Sequence, residues 1–321
     1  MSTYPKRIVI FEEGPREGFQ IEPGPIPTER KIELIDALSR TGLTGMKIAS
    51  FVNPKLVPGM ADSEAVVAGI TQQPGVAYHG LWFNERGLER ALSTKRLNCE
   101  GGITLTASEA FLRRNKNRSQ EEDIAMIRKL IGMYESHDIP VTHVGVSAAF
   151  GCNFQGVVEV DYAIGLIRQA LDIADEHNCT IKEISINDTM AWATPNQVKV
   201  LMGAVQDNYP DYKHSIHLHD TRGMGIANAV AALEMGIDHF DSCVAGLGGC
   251  PFAGHAGAAG NVCTEDLVFM CEEMGIETGI DLDAMIECAR LAEDIVGHPL
   301  PGSVMKGGTL SALRAKYSGT A

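Results

Sequence analysis

Two histidines at positions 217 and 219 have the spacing of a metal site. The segment 215–220 reads SIHLHD. In an extended strand alternate side chains point to the same face, so His217 and His219 would project together. Two imidazoles on one face can share a divalent cation. The pair alone favours two hydrogen-bonded core histidines, so a metal can be inferred only if further ligands lie nearby.

Acidic and basic residues follow two other predicted strands. Arg16 and Glu17 stand in the segment EEGPREG at 12–18, and Asp188 follows the run SIN at 185–187. A carboxylate can supply an oxygen ligand to a cation, and an arginine can stabilise a developing oxyanion. A polar loop with an ion pair explains Arg16 and Glu17 equally well, and Asp188 could instead cap a turn.

Two loops add candidates. The glycine-dense stretch 244–261 has Cys250 near its middle and Asn261 at its end. Such a loop can close over a ligand and exclude water, although Cys250 could be an inert thiol and Asn261 a helix cap. The stretch 113–118 has four cations in six residues, which indicates either an anion site for coenzyme phosphates or a solvated loop. Its candidate phosphate-binding residues are Arg113, Arg114, Asn115 and Lys116.

Eight short β-rich runs alternate with helical patterns along the chain. This order predicts a (β/α)₈ barrel, in which active groups lie at the carboxyl ends of the strands. A doubly wound open sheet is the alternative, but the GxGxxG turn expected after its first strand is absent. The predicted strands span 8–11, 45–49, 76–81, 102–106, 141–146, 182–186, 215–218 and 239–244.

Helix-start signals support this count. Thr28 precedes an apolar stripe, Ser119 and Glu122 form a capping box, and Thr194 stands before Pro195 and a glutamine. No linker divides the chain, so we expect one catalytic domain over residues 1–300 with an extra C-terminal helix. The glycine-rich, basic tail 301–321 is expected to be mobile.

Composition narrows the class of protein. A net charge of −14 over 321 residues argues against a nucleic-acid or membrane-surface binder. The eight cysteines form no CxxC pair, and no apolar run has the length of a signal peptide or membrane span. We therefore expect a cytoplasmic protein, and, because exposed barrel faces commonly pair, a homo-oligomer.

Taken in order, these segments resemble the hydroxymethylglutaryl-CoA lyase family of metal-dependent barrel enzymes. The similarity covers about residues 8–302, and the run GLGGCPF at 246–252 is distinctive of the lyases among their relatives. The segments that carry the resemblance are 14–20, 50–55, 184–189, 217–221, 244–252 and 260–267.

The resemblance implies retro-Claisen cleavage of a 3-hydroxy-3-methylglutaryl-CoA-type thioester to acetyl-CoA and a 3-oxo acid, with acyl-CoA as substrate. It implies that Mg²⁺ or Mn²⁺ lowers the pKa of the substrate hydroxyl, that Arg16 stabilises the enolate, and that Cys250 helps to protonate it. His217 and Asp188 are candidates for moving the hydroxyl proton. The implied metal ligands are Glu17, His217, His219 and Asn261, and the implied substrate-pocket residues are Gln20 and Lys47.

Three features depart from the family pattern. Glu17 stands where aspartate is usual, Lys47 stands where the lyases usually have glutamate, and the segment between Phe252 and Asn261 is longer and includes His255. All three concern the pocket, so they affect the choice of acyl group. Two alternatives stay open: a Claisen-condensing acyltransferase that joins acetyl-CoA to a 2-oxo acid, and a barrel that binds CoA or metal without turnover.

Overall fold

The computed structural model describes residues 4–249 and 260–318. These residues form ten strands, eight of which belong to one parallel sheet. The strands are β1 (Val9–Glu12), β2 (Gly45–Ser50), β3 (Ala77–Leu81), β4 (Gly101–Thr106), β5 (Val141–Ser147), β6 (Gly151–Cys152), β7 (Gly156–Val157), β8 (Glu183–Asn187), β9 (Lys213–His217) and β10 (His239–Ser242).

The parallel sheet curls so that its first and last strands in the sequence, β1 and β10, pair. Its order is β3-β2-β1-β10-β9-β8-β5-β4, and β1 runs in register with β10 from Val9 opposite His239 onward. Between β3 and β4 the described residues form no ladder. Asn98, which precedes β4, binds β3 at Tyr78: its backbone N–H donates to the Tyr78 carbonyl at 2.7 Å, and its Oδ1 accepts from the Tyr78 N–H at 2.9 Å.

Helices and tight turns connect the strands. A π-helical turn spans Gly14–Gly18, and 3₁₀ turns span Pro58–Met60 and Val244–Gly246. The α-helices are α1 (Phe19–Ile21), α2 (Thr28–Leu38), α3 (Ser63–Gly69), α4 (Glu85–Ser93), α5 (Glu109–Lys116), α6 (Gln120–Ser136), α7 (Val160–Glu176), α8 (Pro195–Asn208), α9 (Gly225–Glu234), α10 (Thr264–Glu273), α11 (Leu282–Val296), α12 (Val304–Gly307) and α13 (Leu310–Ser318).

The hydrophobic core lies between the sheet and its helices. Along each strand alternate residues such as Ile184 and Ile186 are fully buried toward the helices, as the two-residue period of a strand requires. The side chains between them point into the barrel and include polar groups such as Lys47 and His217. A chemically active interior is thus supported from outside by an apolar layer.

The predicted barrel is confirmed, and the doubly wound alternative is wrong, because β1 pairs with β10. The capping box of Ser119 and Glu122 is present at the start of α6, and Thr194 donates its backbone N–H to the Gln197 side chain at 3.0 Å before α8. The antiparallel hairpin of β6 and β7 was not predicted, since two-residue strands leave no periodic pattern. No helix among the described residues is long and apolar enough to cross a membrane.

Candidate active site

The turn after β1 places an arginine and a carboxylate at the barrel mouth. Pro15 lies in the first part of the π-helical turn, and the Glu17 N–H donates to the Glu13 carbonyl at 2.7 Å. Such wide turns occur frequently at functional sites. Gly18 is required here, because a β-carbon would come within 2.8 Å of Leu247 Cβ.

Strand β9 brings the two histidines to the same mouth. His217 is the last residue of β9, and His219 follows two residues later on the same face. The backbone of His219 forms an isolated antiparallel bridge with Asn261, supported by bonds from the Asp220 N–H to Gly260 and from the Val262 N–H to Leu218. The return of the chain at 260–262 therefore fixes Asn261 beside the histidines.

Glu17, His217 and His219 form a compact group of potential ligands. One ligand atom from each lies within 4.8 Å of the other two. His217 Nε2 and His219 Nε2 face each other at 3.1 Å, and His219 Nε2 lies 3.3 Å from Glu17 Oε1. Two imidazoles and a carboxylate converging at these distances are a suitable donor set for a divalent cation.

Asn261 completes this group. Its Nδ2 donates to Glu17 Oε1 at 3.0 Å and to the Leu247 carbonyl at 3.2 Å, while its Oδ1 is buried without a partner. Gly248, with φ of +90°, lets the backbone pass over the pair, because a β-carbon there would lie 2.9 Å from Glu17 Cγ.

Charged neighbours keep Glu17 ionised and orient His217. Burial opposes the ionisation of Glu17, but the charge of Arg16 and the hydrogen bond from His219 outweigh it and hold the Glu17 pKa well below its usual range. Burial likewise opposes protonation of His217, yet its Nδ1 hydrogen bond with Asp241, at 3.1 Å, contributes to a raised pKa. A carboxylate behind a ligating histidine fixes the ring orientation.

A row of alternating charges crosses the barrel mouth. Lys47 Nζ contacts Glu13 Oε1, Arg16 Nη2 contacts Glu13 Oε2, and the same Nη2 lies 2.9 Å from Glu17 Oε2. Burial opposes the charge on Arg16, but Glu13 and Glu17 outweigh it and raise the pKa of the guanidinium. Arg16 is therefore a permanent cation directly beside the ligand group.

Asp188 lies close to the histidines and has one free oxygen. Its backbone N–H donates to the His217 carbonyl at 2.8 Å, and its Oδ1 accepts from the Trp192 N–H at 2.7 Å. Asp188 thus caps a turn, as one sequence interpretation held, but Oδ2 is buried without a partner. Burial raises the pKa of this carboxyl, which makes it a stronger base than an exposed aspartate.

Unpaired buried polar atoms concentrate in the predicted site. The described residues include eight such side-chain atoms, and half of them belong to candidate site residues. Buried polar groups normally have partners, so each exception calls for an explanation. A cation and a polar substrate would supply the missing partners, and the residues present therefore fit a bound metal. The four atoms are Arg16 Nε, Gln20 Oε1, Asp188 Oδ2 and Asn261 Oδ1.

A second acidic group, Cys263 with Glu265 and Asp266, is also compact. Its carboxylates bind backbone N–H groups: Glu265 accepts from Ala245 at 2.9 Å, and Asp266 accepts from Ser303 at 3.0 Å. Burial raises the pKa of the Cys263 thiol well above its usual value. The two carboxylates of this group therefore anchor the backbone at Ala245 and Ser303.

The basic stretch is helical up to Lys116 rather than a loop, and it lies on α5. Lys116 Nζ binds the buried Asp123 at 2.8 Å. Arg113 is exposed and pairs with Glu109, and Arg114 lies 4.1 Å above the Phe154 ring. These contacts neither require nor preclude a phosphate, so coenzyme binding by Arg113, Arg114, Asn115 and Lys116 stays a prediction. Cys250 and the longer loop with His255 lie outside the described residues.

Glu13 and Asp241 are site residues that the sequence interpretation missed. Asp241 lies opposite His217 in the register of β10 and β9, so aligning inward positions of neighbouring strands would have found it. Glu13 could have been found only through its partners Arg16 and Lys47, which come from separate elements.

Comparison with known proteins places these features in one family. The HMGL-like family model matches residues 7–292. The hydroxymethylglutaryl-CoA lyase YngG of Bacillus subtilis is 39% identical over 303 residues, which cover 93% of this chain and 96% of that protein. The cytoplasmic 3-hydroxy-3-methylglutaryl-CoA lyase of Mus musculus is 39% identical over 283 residues, covering 88% and 79%.

Solved structures give the same result. The B. subtilis HMG-CoA lyase has a TM-score of 0.86 at 38% identity, covering 95% of this chain and 98% of that one. An A. baumannii HMG-CoA lyase in complex with coenzyme A and 3-methylmalate has a TM-score of 0.85 at 36% identity, covering 96% and 97%. Relatives are named as cytoplasmic and as mitochondrial, so a cytoplasmic location stays a prediction. The homo-oligomer also stays a prediction. The chain belongs to the HMGL-like family and is an enzyme of the lyase class.

Proposed function

We propose that this chain is a divalent-metal-dependent carbon–carbon lyase that cleaves a 3-hydroxy-3-methylglutaryl-CoA-type thioester to acetyl-CoA and a 3-oxo acid. With the methylglutaryl substrate the 3-oxo acid is acetoacetate. The observation that carries the proposal is the convergence of Glu17, His217 and His219 beside Arg16, at the carboxyl ends of β1 and β9. Groups in this position are the usual catalytic residues of such barrels.

Glu17, His217, His219 and Asn261 would hold one Mg²⁺ or Mn²⁺. When bound there, the cation would supply Lewis-acid polarisation of substrate oxygens. The oxygens of Glu17 and Asn261 are ligands that suit Mg²⁺ and Mn²⁺. The buried, unpartnered Oδ1 of Asn261 supports this assignment, because a ligand role would satisfy it.

Proton removal from the substrate 3-hydroxyl is assigned to Asp188, with His217 as the other candidate. Asp188 Oδ2 has no competing partner in the structure, and its raised pKa makes it a better proton acceptor near neutral pH. Once the proton leaves, the C2–C3 bond breaks, C3 becomes the ketone carbon of the 3-oxo acid, and the electron pair passes to the acetyl-CoA enolate.

Arg16 would stabilise the enolate oxygen, and Cys250 would help to deliver the proton that converts the enolate carbon into the methyl group of acetyl-CoA. Arg16 is held charged by two carboxylates, and its buried Nε has no acceptor. A preorganised cationic donor aimed at a developing oxyanion is worth most in a water-excluded site.

The acyl and coenzyme ends of the substrate call for different residues. Arg113 and Arg114, on the last turns of α5, would contact coenzyme phosphates together with Asn115 and Lys116. Gln20 and Lys47 would contact the acyl group, and the side chain of Lys47, 24% exposed, can pair with a substrate carboxylate. The A. baumannii lyase with coenzyme A and 3-methylmalate supports a thioester with an acidic acyl group.

A mass-spectrometric screen tests this function. Purified protein with added Mn²⁺ is incubated with 3-hydroxy-3-alkyl and malyl-type CoA thioesters, and acetyl-CoA is quantified. We expect acetyl-CoA and a 3-oxo acid in equal amounts from 3-hydroxy-3-methylglutaryl-CoA. The proposal fails if every thioester stays intact. Release of free CoA from acetyl-CoA and a 2-oxo acid would indicate a condensing enzyme instead.

A further inference from the structure

Glu13 is a buried carboxylate that the proposed reaction does not use. It follows β1 directly, and its side chain is 3% exposed. Two cations from different elements contact it: Lys47 of β2 lies on Oε1, and Arg16 lies on Oε2. Both oxygens of this carboxylate are therefore paired with a cationic side chain. The effect of the Glu13 carboxylate on the site therefore depends on these two cations.

Arg16 is shared between two carboxylates. Its Nη2 contacts Glu13 Oε2 and also lies 2.9 Å from Glu17 Oε2. The two N–H groups of Nη2 can donate to both carboxylates at once, but the one guanidinium charge is drawn toward the more negative partner, so a stronger attraction to Glu13 weakens the contact with Glu17. Lys47 contacts Glu13 but has no recorded contact with Glu17 in the described structure. By neutralising part of Glu13, Lys47 decides how strongly Glu13 competes for Arg16.

We infer that Lys47 is a positioning residue that tunes the cation affinity of the active site through Glu13 and Arg16. With Lys47 in place, Arg16 stays partly on Glu17 and competes with a cation for that carboxylate. Without Lys47, Glu13 draws Arg16 to itself and leaves Glu17 available. Without the charge of Glu13, Arg16 turns to Glu17 and weakens it as a ligand. The inference rests on the proposed function, since it takes Glu17 as a metal ligand.

Binding of Mn²⁺ measures this coupling without any turnover. Metal-stripped protein is titrated with Mn²⁺, and free Mn²⁺ is followed by electron paramagnetic resonance. Lys47→Met should bind Mn²⁺ roughly threefold to tenfold more tightly than the unmodified chain, and Glu13→Gln should bind it roughly threefold to tenfold more weakly, the span expected within one ion-pair network. Lys47→Arg keeps the cation and should match the unmodified chain, as should Lys129→Met, an exposed control on α6.

The double variant Lys47→Met with Glu13→Gln distinguishes an effect of Lys47 through Glu13 from a direct electrostatic effect of Lys47 on the bound cation. Removing a positive or a negative charge near the site also changes cation affinity through space, with the same signs, but those effects add. If Lys47 acts through Glu13, Lys47→Met should change Mn²⁺ affinity less than about twofold in a Glu13→Gln background. An additive double variant, or a Lys47→Met variant that binds Mn²⁺ more weakly, overturns the inference.

Two further outcomes are distinguishable. If the unmodified chain binds no Mn²⁺, the metal site of the proposed function fails and the inference fails with it. If the unmodified chain binds Mn²⁺ but Lys47→Met and Glu13→Gln match it, the inference alone fails. Should Lys47→Met not fold, Lys47→Gln removes the same charge and must show the same tightening.

Discussion

Replacement of Arg16 by methionine separates catalysis from metal binding. The side chain contacts both Glu13 and Glu17, and its Nε is unpartnered. Loss of one preorganised donor to an oxyanion typically lowers kcat by about 10² to 10³, or about 3–4 kcal/mol of barrier. Glu17 loses a competing cation at the same time. We therefore expect kcat of Arg16→Met to fall by this factor while Mn²⁺ affinity rises.

The stability cost of Arg16→Met also follows from the contacts. Removing one partner of a buried ion pair costs about 3–5 kcal/mol. Glu13 keeps Lys47, and Glu17 keeps His219 and Asn261, so we expect a loss near 3 kcal/mol in the free energy of unfolding. Urea denaturation checks that the variant remains folded under assay conditions.

The assay combines kinetics and binding on one preparation. Acetyl-CoA formation is measured at saturating Mn²⁺ and thioester, and Mn²⁺ binding is measured on the same folded protein. Arg16→Lys keeps a charge but not the planar donor pair, so its kcat should lie between that of the unmodified chain and that of Arg16→Met. If Arg16→Met loses Mn²⁺ binding together with activity, or keeps its full kcat, the assigned role of Arg16 is wrong.

Three other predictions test separate parts of the molecule. Burial raises the pKa of Glu12 from 4.5 to about 7, so the folded chain holds that proton more tightly than the unfolded chain. The Glu12 contribution to the free energy of unfolding should therefore fall by up to about 3 kcal/mol as pH rises from about 4.5 to 7. Urea unfolding of the unmodified chain and of Glu12→Gln, which should lack this component, measures it. Parallel pH profiles of the free energy of unfolding for the two proteins would refute it. Arg114→Ala should raise KM for the CoA thioester and leave kcat nearly unchanged, and an unchanged KM would remove Arg114 from the coenzyme site. Cys250→Ala should lose most of its cleavage rate yet bind Mn²⁺ normally, and full activity would exclude the thiol as a proton donor.

The order and type of the main elements could be predicted because apolar residues recur along the sequence with the period of the strand or helix that buries them. All eight barrel strands lie within a few residues of their predicted bounds, and the caps of α6 and α8 depend on side chains close in sequence. The β6–β7 hairpin is too short to leave a pattern. The π-helical turn at 14–18 packs against Leu247, which is distant in sequence but follows the neighbouring strand β10.

The candidate site could be predicted where the type of a single residue, such as histidine, already indicates a ligand role. His217, His219 and Glu17 converge as expected from their positions at strand ends. Asp241 was missed because its role depends on the register of β10 against β9. Glu13 was missed because a buried carboxylate becomes informative only when Lys47 and Arg16 are seen to share it. Sequence reasoning thus finds single ligands more readily than the ion pairs that tune them.

The most direct test of the central claim is a single incubation with and without metal. Chelator-treated protein is mixed with 3-hydroxy-3-methylglutaryl-CoA, Mn²⁺ is added, and acetyl-CoA and acetoacetate are measured, with Glu17→Gln in parallel. We predict equal amounts of the two products, only after Mn²⁺ is added, and a strongly reduced rate for Glu17→Gln. Equal cleavage without metal, or an intact thioester in protein that has bound Mn²⁺, would contradict a metal-dependent lyase acting on this substrate.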